Sequence, residues 1–173
     1  CTGPKAPYCT LFLDHPSLEL RVWLWQTWQR KIGGILVWQS NYWTSDAAYP
    51  DPNTPQDPYV DPMSWMSGYD TQANTKKPWG NGDGRFIYPP ESASVRQGGP
   101  ILEGPVDSIR WEMLRDGVED YEYLTILRRV LSEKEQAGKD VAQFKTLLDV
   151  PPVITTSATE FTTDPAVIEA QRL

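Results

Sequence analysis

The chain has 173 residues, of which 39% are hydrophobic and 12% aromatic, and it carries eight tryptophans. That length allows one domain of ordinary size, and so many rings exclude a disordered chain, because segments that cannot fold are poor in aromatics. The net charge is −7, with basic residues adjacent only in short pairs such as Lys76-Lys77 and Arg128-Arg129, so no phosphate-binding surface and no nucleic-acid partner are expected.

In chain order, Cys1 and Cys9 could form one bridge, which would leave the redox compartment open. The first organised segment is Pro16–Lys31. His15 precedes a proline and so is biased away from helical geometry, as a residue leading into a helix. Pro16 suits the first helical position. Leu18, Val22, Trp25 and Trp28 recur at steps of three and four, which predicts a helix. Leu20, Trp23 and Leu24 widen its apolar face, so it should be covered on more than one side. Gly33 and Gly34 are expected to stop it, Gly33 in left-handed geometry. Ile35-Leu36-Val37-Trp38 then reads as a short, fully buried parallel strand.

From Ser40 to Asp107 no strong helical period is present. Pro50, Pro52, Pro55, Pro58 and Pro62 cluster there, and Tyr42, Trp43, Tyr49, Tyr59, Trp65, Tyr69 and Trp79 are interspersed. Loops of this length tend to be functional or disordered; the aromatics point to one that packs or presents rings to a ligand. Within it, Arg85–Tyr88 reads as a second short strand, launched by Gly82-Asp83-Gly84 and ended by Pro89-Pro90. Ser108 to about Ser132 is the strongest helix, capped by Asp107 or Ser108, with Gly117 as a weak point. A further helix is expected over Asp140–Leu148, and Asp164-Pro165 opens a last one with a cap and a first-turn proline. No stretch approaches the roughly 20 apolar residues that span a bilayer, no secretory leader is visible, and no membrane partner is expected.

Three segments together resemble a known family. They are Cys1-Thr2-Gly3-Pro4-Lys5 with Asp14 and Arg21; Gly34-Ile35-Leu36-Val37-Trp38 with Asn41 and Trp43; and Gly82-Asp83-Gly84 with Tyr88-Pro89, Gly104-Pro105, Ser108-Ile109-Arg110 and the run Arg115 to Leu124. This pattern is similar to the C-terminal part of the catalytic domain of glycoside hydrolase family 123, over about residues 1–132. The resemblance implies an α/β chain that forms the C-terminal portion of a (β/α)8 TIM barrel, incomplete in this chain. Residues 1–150 would supply that portion, with a long loop over 40–107 between strands seven and eight. Residues 151–173 would be an extension holding the start of a helix. A whole barrel needs roughly 250 residues. The chain is therefore expected to require the rest of its own barrel as a partner and not to fold stably alone.

The resemblance also implies an activity: retaining hydrolysis of β-linked N-acetylhexosaminides, N-acetylgalactosamine favoured. Enzymes of this kind use the substrate's own 2-acetamido group as nucleophile, an exception to the two-carboxylate scheme. An adjacent Asp-Glu pair assists. That pair is expected on an earlier strand, upstream of Cys1, so no catalytic acid is assigned here. Glu119-Asp120 is an adjacent acidic pair, but neighbours on a helix point about 100° apart and do not converge on one sugar. Arg115 and Glu119, spaced i, i+4, are expected to form an ordinary ion pair.

Barrel chemistry sits at the C-terminal ends of strands. On the resemblance, the sugar-facing candidates are Trp38, Asn41, Tyr42 and Trp43 after strand seven, and Asp83 and Tyr88 at strand eight. Flat rings suit the apolar face of a pyranose, and Asn41 can donate and accept at once. Each aromatic could equally pack in the core or loop, and Asp83 could simply orient a turn. Arg110 stands in the first turn of a helix, where a cation is disfavoured, so it is expected to meet an anion, a structural carboxylate in the first instance. Arg115, Glu119 and Asp120 are expected to be structural. One His and two Cys make no metal set, and neither metal nor cofactor is expected. Pro90 stands where the family usually has glycine after Tyr-Pro, and the insert at 50–79 is a further departure. Relatives that degrade polymers imply a periplasmic or extracellular address. Two other readings of the same residues are a non-catalytic carbohydrate-binding barrel and a structural or protein-interaction domain.

Overall fold

The computed structural model describes residues 7–43, 57–62, 66–67, 77–78, 80–91 and 102–172. The motif Cys1–Lys5 and the loop aromatics Tyr49, Trp65, Tyr69 and Trp79 lie outside them. The structure is mixed α/β. In chain order its elements are α1 (Leu18–Gln29), β1 (Met66–Ser67), β2 (Lys77–Pro78), β3 (Ile87–Tyr88), β4 (Val106–Asp107), α2 (Ile109–Gln136), α3 (Ala142–Lys145), a 3-10 turn (Thr146–Leu148) and α4 (Pro165–Arg172). The chain divides into two compact units. The first holds Leu11–His15 and Leu36–Glu112, the second Thr2–Thr10, Pro16–Ile35 and Met113–Leu173.

In the first unit β1 pairs antiparallel with β2, and β3 antiparallel with β4, Ile87 opposite Asp107 and Tyr88 opposite Val106. The strand expected over Arg85–Tyr88 is thus two residues long and pairs locally. Ile35–Trp38 is a correction: it is not a strand, and Leu36 is 81% exposed. An apolar run becomes a strand only where a neighbour supplies a hydrogen-bond ladder, and none of the described residues pairs with it. What holds this unit is a stitched pair of segments. Tyr42 N–H donates to Gly84 O (2.8 Å), Phe86 N–H to Ser40 O (2.8 Å), and Asn41 bridges Arg85. Phe86 is completely buried, and the Arg110 guanidinium lies over its ring at 4.7 Å. Ser108 caps α2, its hydroxyl accepting the Trp111 N–H at 3.3 Å, which satisfies a backbone donor the helix leaves open.

In the second unit α1 is buried along almost its whole length, from Leu18 to Trp28 with Trp23 the half-exposed residue. Its Leu18, Val22, Trp25 and Trp28 form one core with Leu124, Ile154 and Ile168. Trp28 meets Tyr121 edge-on at 5.2 Å and donates its indole N–H to Leu148 O at 2.8 Å. Both ends of α1 differ from expectation. Pro16 does not occupy the first helical position; its carbonyl accepts the Glu19 N–H in a tight lead-in turn, and the helix starts at Leu18. At the other end the left-handed residue is Lys31, φ 57°, not Gly33. Ile32 N–H reaches Thr27 O and Lys31 N–H reaches Trp28 O, the double closure that stops a helix. The expected helix over Asp140–Leu148 is only α3, which tightens into the 3-10 turn. Asp164 caps α4 by accepting the Ala166 N–H at 2.9 Å, with Pro165 first in the helix. Ile168 of α4 is fully buried in the core.

Gly117 explains how α1 and α2 approach. A Cβ there would lie 3.0 Å from the Arg21 Cα and 3.1 Å from the Arg21 carbonyl oxygen, closer than side chains normally sit. Cys9 is a free thiol, and its Sγ donates to Gln26 Oε1 at 3.7 Å.

Candidate functional site

The site grows from the turn Gly82-Asp83-Gly84. Gly82 and Gly84 adopt φ 77° and 74°, a region glycine enters without steric cost. At Gly84 space demands it as well, since a Cβ would stand 2.8 Å from Cζ2 of Trp38. The turn presents Asp83, which is buried, and its carboxylate accepts the Trp38 indole N–H at 3.0 Å. A charge-assisted hydrogen bond of this kind fixes the ring plane. Trp38 itself is 47% exposed. Tyr42 meets it edge-on, centroids 5.3 Å apart. Asn41 is exposed beside them and accepts from Gln39 Nε2 at 3.0 Å.

Trp43 and Tyr88 are held differently. The half-buried Trp43 donates its indole N–H to Ile87 O at 2.7 Å. Tyr88, also half-buried, tilts against Tyr59 at 5.1 Å, and Tyr59 donates its hydroxyl to Pro89 O at 2.6 Å. The structure therefore brings Trp38, Tyr42 and Asp83 into direct contact, with Asn41 next to them in the chain. It ties Trp43 and Tyr88 to the strand β3 and its exit.

Beneath these rings lie two arginines, each 1% exposed. Arg110 donates to Leu11 O (2.6 Å), Gly82 O (2.9 Å) and Arg85 O (2.6 Å). These hydrogen bonds go to carbonyl oxygens; Tyr88 also hydrogen-bonds the guanidinium and the Asp83 carboxylate acts on its charge, while its Nε has no partner among the described residues. The first-turn cation is tolerated because three local dipoles converge on it. Burial pushes its guanidinium below its ordinary pKa, with Tyr88 and Asp83 opposing the shift. Burial pushes Arg85 down too, opposed chiefly by Asp61. The sequence does not single out Arg85 or Tyr59. The available signal for Arg85 was a cation next to buried Phe86 at the start of an apolar run.

The glycoside hydrolase 123 catalytic-domain family model matches residues 1–127, which includes every residue just described. The chain belongs to glycoside hydrolase family 123. No curated protein matches it. Membership makes this a glycosidase catalytic-domain chain with a carbohydrate substrate, and half-exposed indole faces beside amide and carboxylate groups are what a sugar ring can use. No helix among the described residues is long and apolar enough to cross a membrane.

The matched stretch ends within α2, where Arg115, Glu119 and Asp120 stand. Arg115 is exposed and lies 3.6 Å from Glu119 and 3.1 Å from Asp116. Asp120 is buried and accepts from Arg21 Nε at 2.7 Å, Arg21 Nη2 at 3.2 Å and the Trp25 indole at 2.9 Å. Glu119 and Asp120 thus stand in opposite surroundings, one in solvent and one in the core. Arg21 also pairs with Glu169. Burial opposes the Arg21 charge, but the hydrogen bonds to Asp120 and Glu169 outweigh it and raise its pKa.

Proposed function

We propose that this glycosidase hydrolyses β-linked N-acetylhexosaminides with retention, N-acetylgalactosamine favoured, and that the chain forms the sugar-holding C-terminal portion of a (β/α)8 barrel. In this reading residues 1–150 belong to the barrel and 151–173 extend it. Trp38 offers its ring to the apolar face of the pyranose, with Tyr42, Trp43 and Tyr88 bounding it. Asn41 and Asp83 address hydroxyl or amide groups. The 2-acetamido oxygen attacks the anomeric carbon while an acid outside these 173 residues protonates the leaving oxygen. Water then attacks the same carbon and breaks its new bond to the acetamido oxygen, giving a proton back to that residue; two inversions leave the configuration retained. Arg110, Arg115, Glu119 and Asp120 hold structure and take no part.

The observation that carries the reading is Trp38: half exposed, with its N–H held at 3.0 Å by a buried carboxylate, in a chain of this family. Such an indole is pre-ordered, so little rotamer entropy is lost when a ring stacks on it. The test is hydrolysis of aryl N-acetyl-β-galactosaminide and aryl N-acetyl-β-glucosaminide by the full-length enzyme, with the product anomer read by NMR. Release of the β-anomer, faster from the galactosaminide, is expected. Turnover of neither substrate contradicts the proposal.

A further inference from the structure

Arg85 ties together three segments. Its backbone bridges Asn41. Its guanidinium, wholly buried, donates from Nε to Tyr42 O at 2.8 Å, from Nη1 to Asp61 O at 3.1 Å and from Nη2 to Trp43 O at 3.4 Å. Its own carbonyl is fixed by Arg110 at 2.6 Å. The segment 41–43 carries the ring that meets Trp38, and the segment 57–62 carries Tyr59, which lies on Tyr88. The last of these comes from the proline-rich insert.

Burying a guanidinium is costly unless its donors are matched. A planar fork with five donors reaches carbonyls on separate segments at once, which the compact ammonium of lysine does not. Apolar side chains would fill the same volume without aligning any carbonyl. We propose that Arg85 is a positioning residue for sugar binding: its fork sets the spacing of the loops that carry Tyr42, Trp43 and Tyr59, and so the spacing of the ring faces offered to the substrate. This rests on the sugar-binding role given above to Tyr42, Trp43 and Tyr88, the last of which Tyr59 packs against. Arg85 touches no reacting atom. Rings that contact substrate and transition state alike change KM and leave kcat alone.

The test uses Arg85→Lys and Arg85→Met in the full-length enzyme. KM for aryl N-acetyl-β-galactosaminide is expected to rise about tenfold with kcat within about twofold. The Kd for free N-acetylgalactosamine, read by tryptophan fluorescence, should rise by a similar factor. A merely structural role lowers the folded fraction, hence apparent kcat, and leaves KM and Kd unchanged; that result overturns the proposal. Should both variants fail to fold, Asp57→Ala decides. Asp57 accepts the Tyr59 N–H at 2.9 Å through its side chain and the Val60 and Asp61 N–H groups through its carbonyl. Losing the side-chain bond loosens the turn that Arg85 grips, and KM should rise about threefold; an unchanged KM overturns the proposal. Wild-type enzyme that binds the sugar without hydrolysing it fails the hydrolase reading alone, and the Kd comparison still judges Arg85. Wild-type enzyme that binds no sugar overturns both.

Discussion

The two units balance the burial of arginines differently. In the second, Arg21 meets the carboxylates of Asp120 and Glu169 and its charge is favoured despite burial. In the first, Arg85 and Arg110 grip the carbonyls of Leu11, Tyr42, Trp43, Asp61, Gly82 and Arg85, and burial pushes both down. Side-chain pairs between α1, α2 and α4 lock helices that hydrophobic packing already orders. Carbonyl clamps instead order irregular backbone, which has no ladder of its own and whose polar groups must otherwise find water. The first solution suits a scaffold and the second suits loops that must present rings in fixed places.

The sharpest way to break that contrast is Asp120→Ala. It leaves Arg21 Nε and the Trp25 N–H without their acceptor in the core, a loss of about 3–5 kcal/mol for a buried pair. Thermal unfolding of the full-length enzyme should show a large fall in Tm, with KM of the surviving folded enzyme unchanged. An unaltered Tm would mean that the pair stabilises nothing. Gly117→Ala comes next. Alanine gains helix propensity, but here its Cβ meets the Arg21 backbone at 3.0 Å, and overpacking of that kind costs about 1–3 kcal/mol. Destabilisation is expected; a stabilised variant would show that α1 yields freely.

The smallest effect concerns Cys9. Burial, with Glu19 adding to it, pushes its thiol from 9.0 up to about 12. The folded thiol holds its proton more tightly than the unfolded one, so its contribution to stability is complete below pH 9.0 and declines as pH rises toward 12. Because the thiolate is the reactive form, alkylation of native enzyme should be slow at pH 8 and still accelerating above pH 10. A rate that levels near pH 9 would place the thiol in solvent.

Helices were legible where the signals are local. The steps from Leu18 to Trp28, the Ser108 cap and the Asp164-Pro165 start all lie within a few residues of what they control. The stop of α1 was only half legible: two glycines advertised it, but the chain turned earlier, at Lys31. Ile35–Trp38 failed as a strand because pairing depends on a distant neighbour that no local pattern names. Of the residues proposed from their type to face a sugar, Trp38 meets both Tyr42 and Asp83. Arg110 was legible from its place in the helix but its carbonyl partners were not, and Arg85 was not singled out, because backbone carbonyls far along the chain carry no residue-type signal.

Trp38→Ala tests the central claim most directly, through KM and kcat on aryl N-acetyl-β-galactosaminide alongside Tm. Loss of the indole removes one donor from the buried Asp83 carboxylate, so a modest fall in Tm is expected and the kinetics are read on the folded enzyme. KM should rise by at least about tenfold, as the loss of ~1.5 kcal/mol of ring contact gives. Unchanged kinetics in a folded variant would contradict a sugar resting on this face.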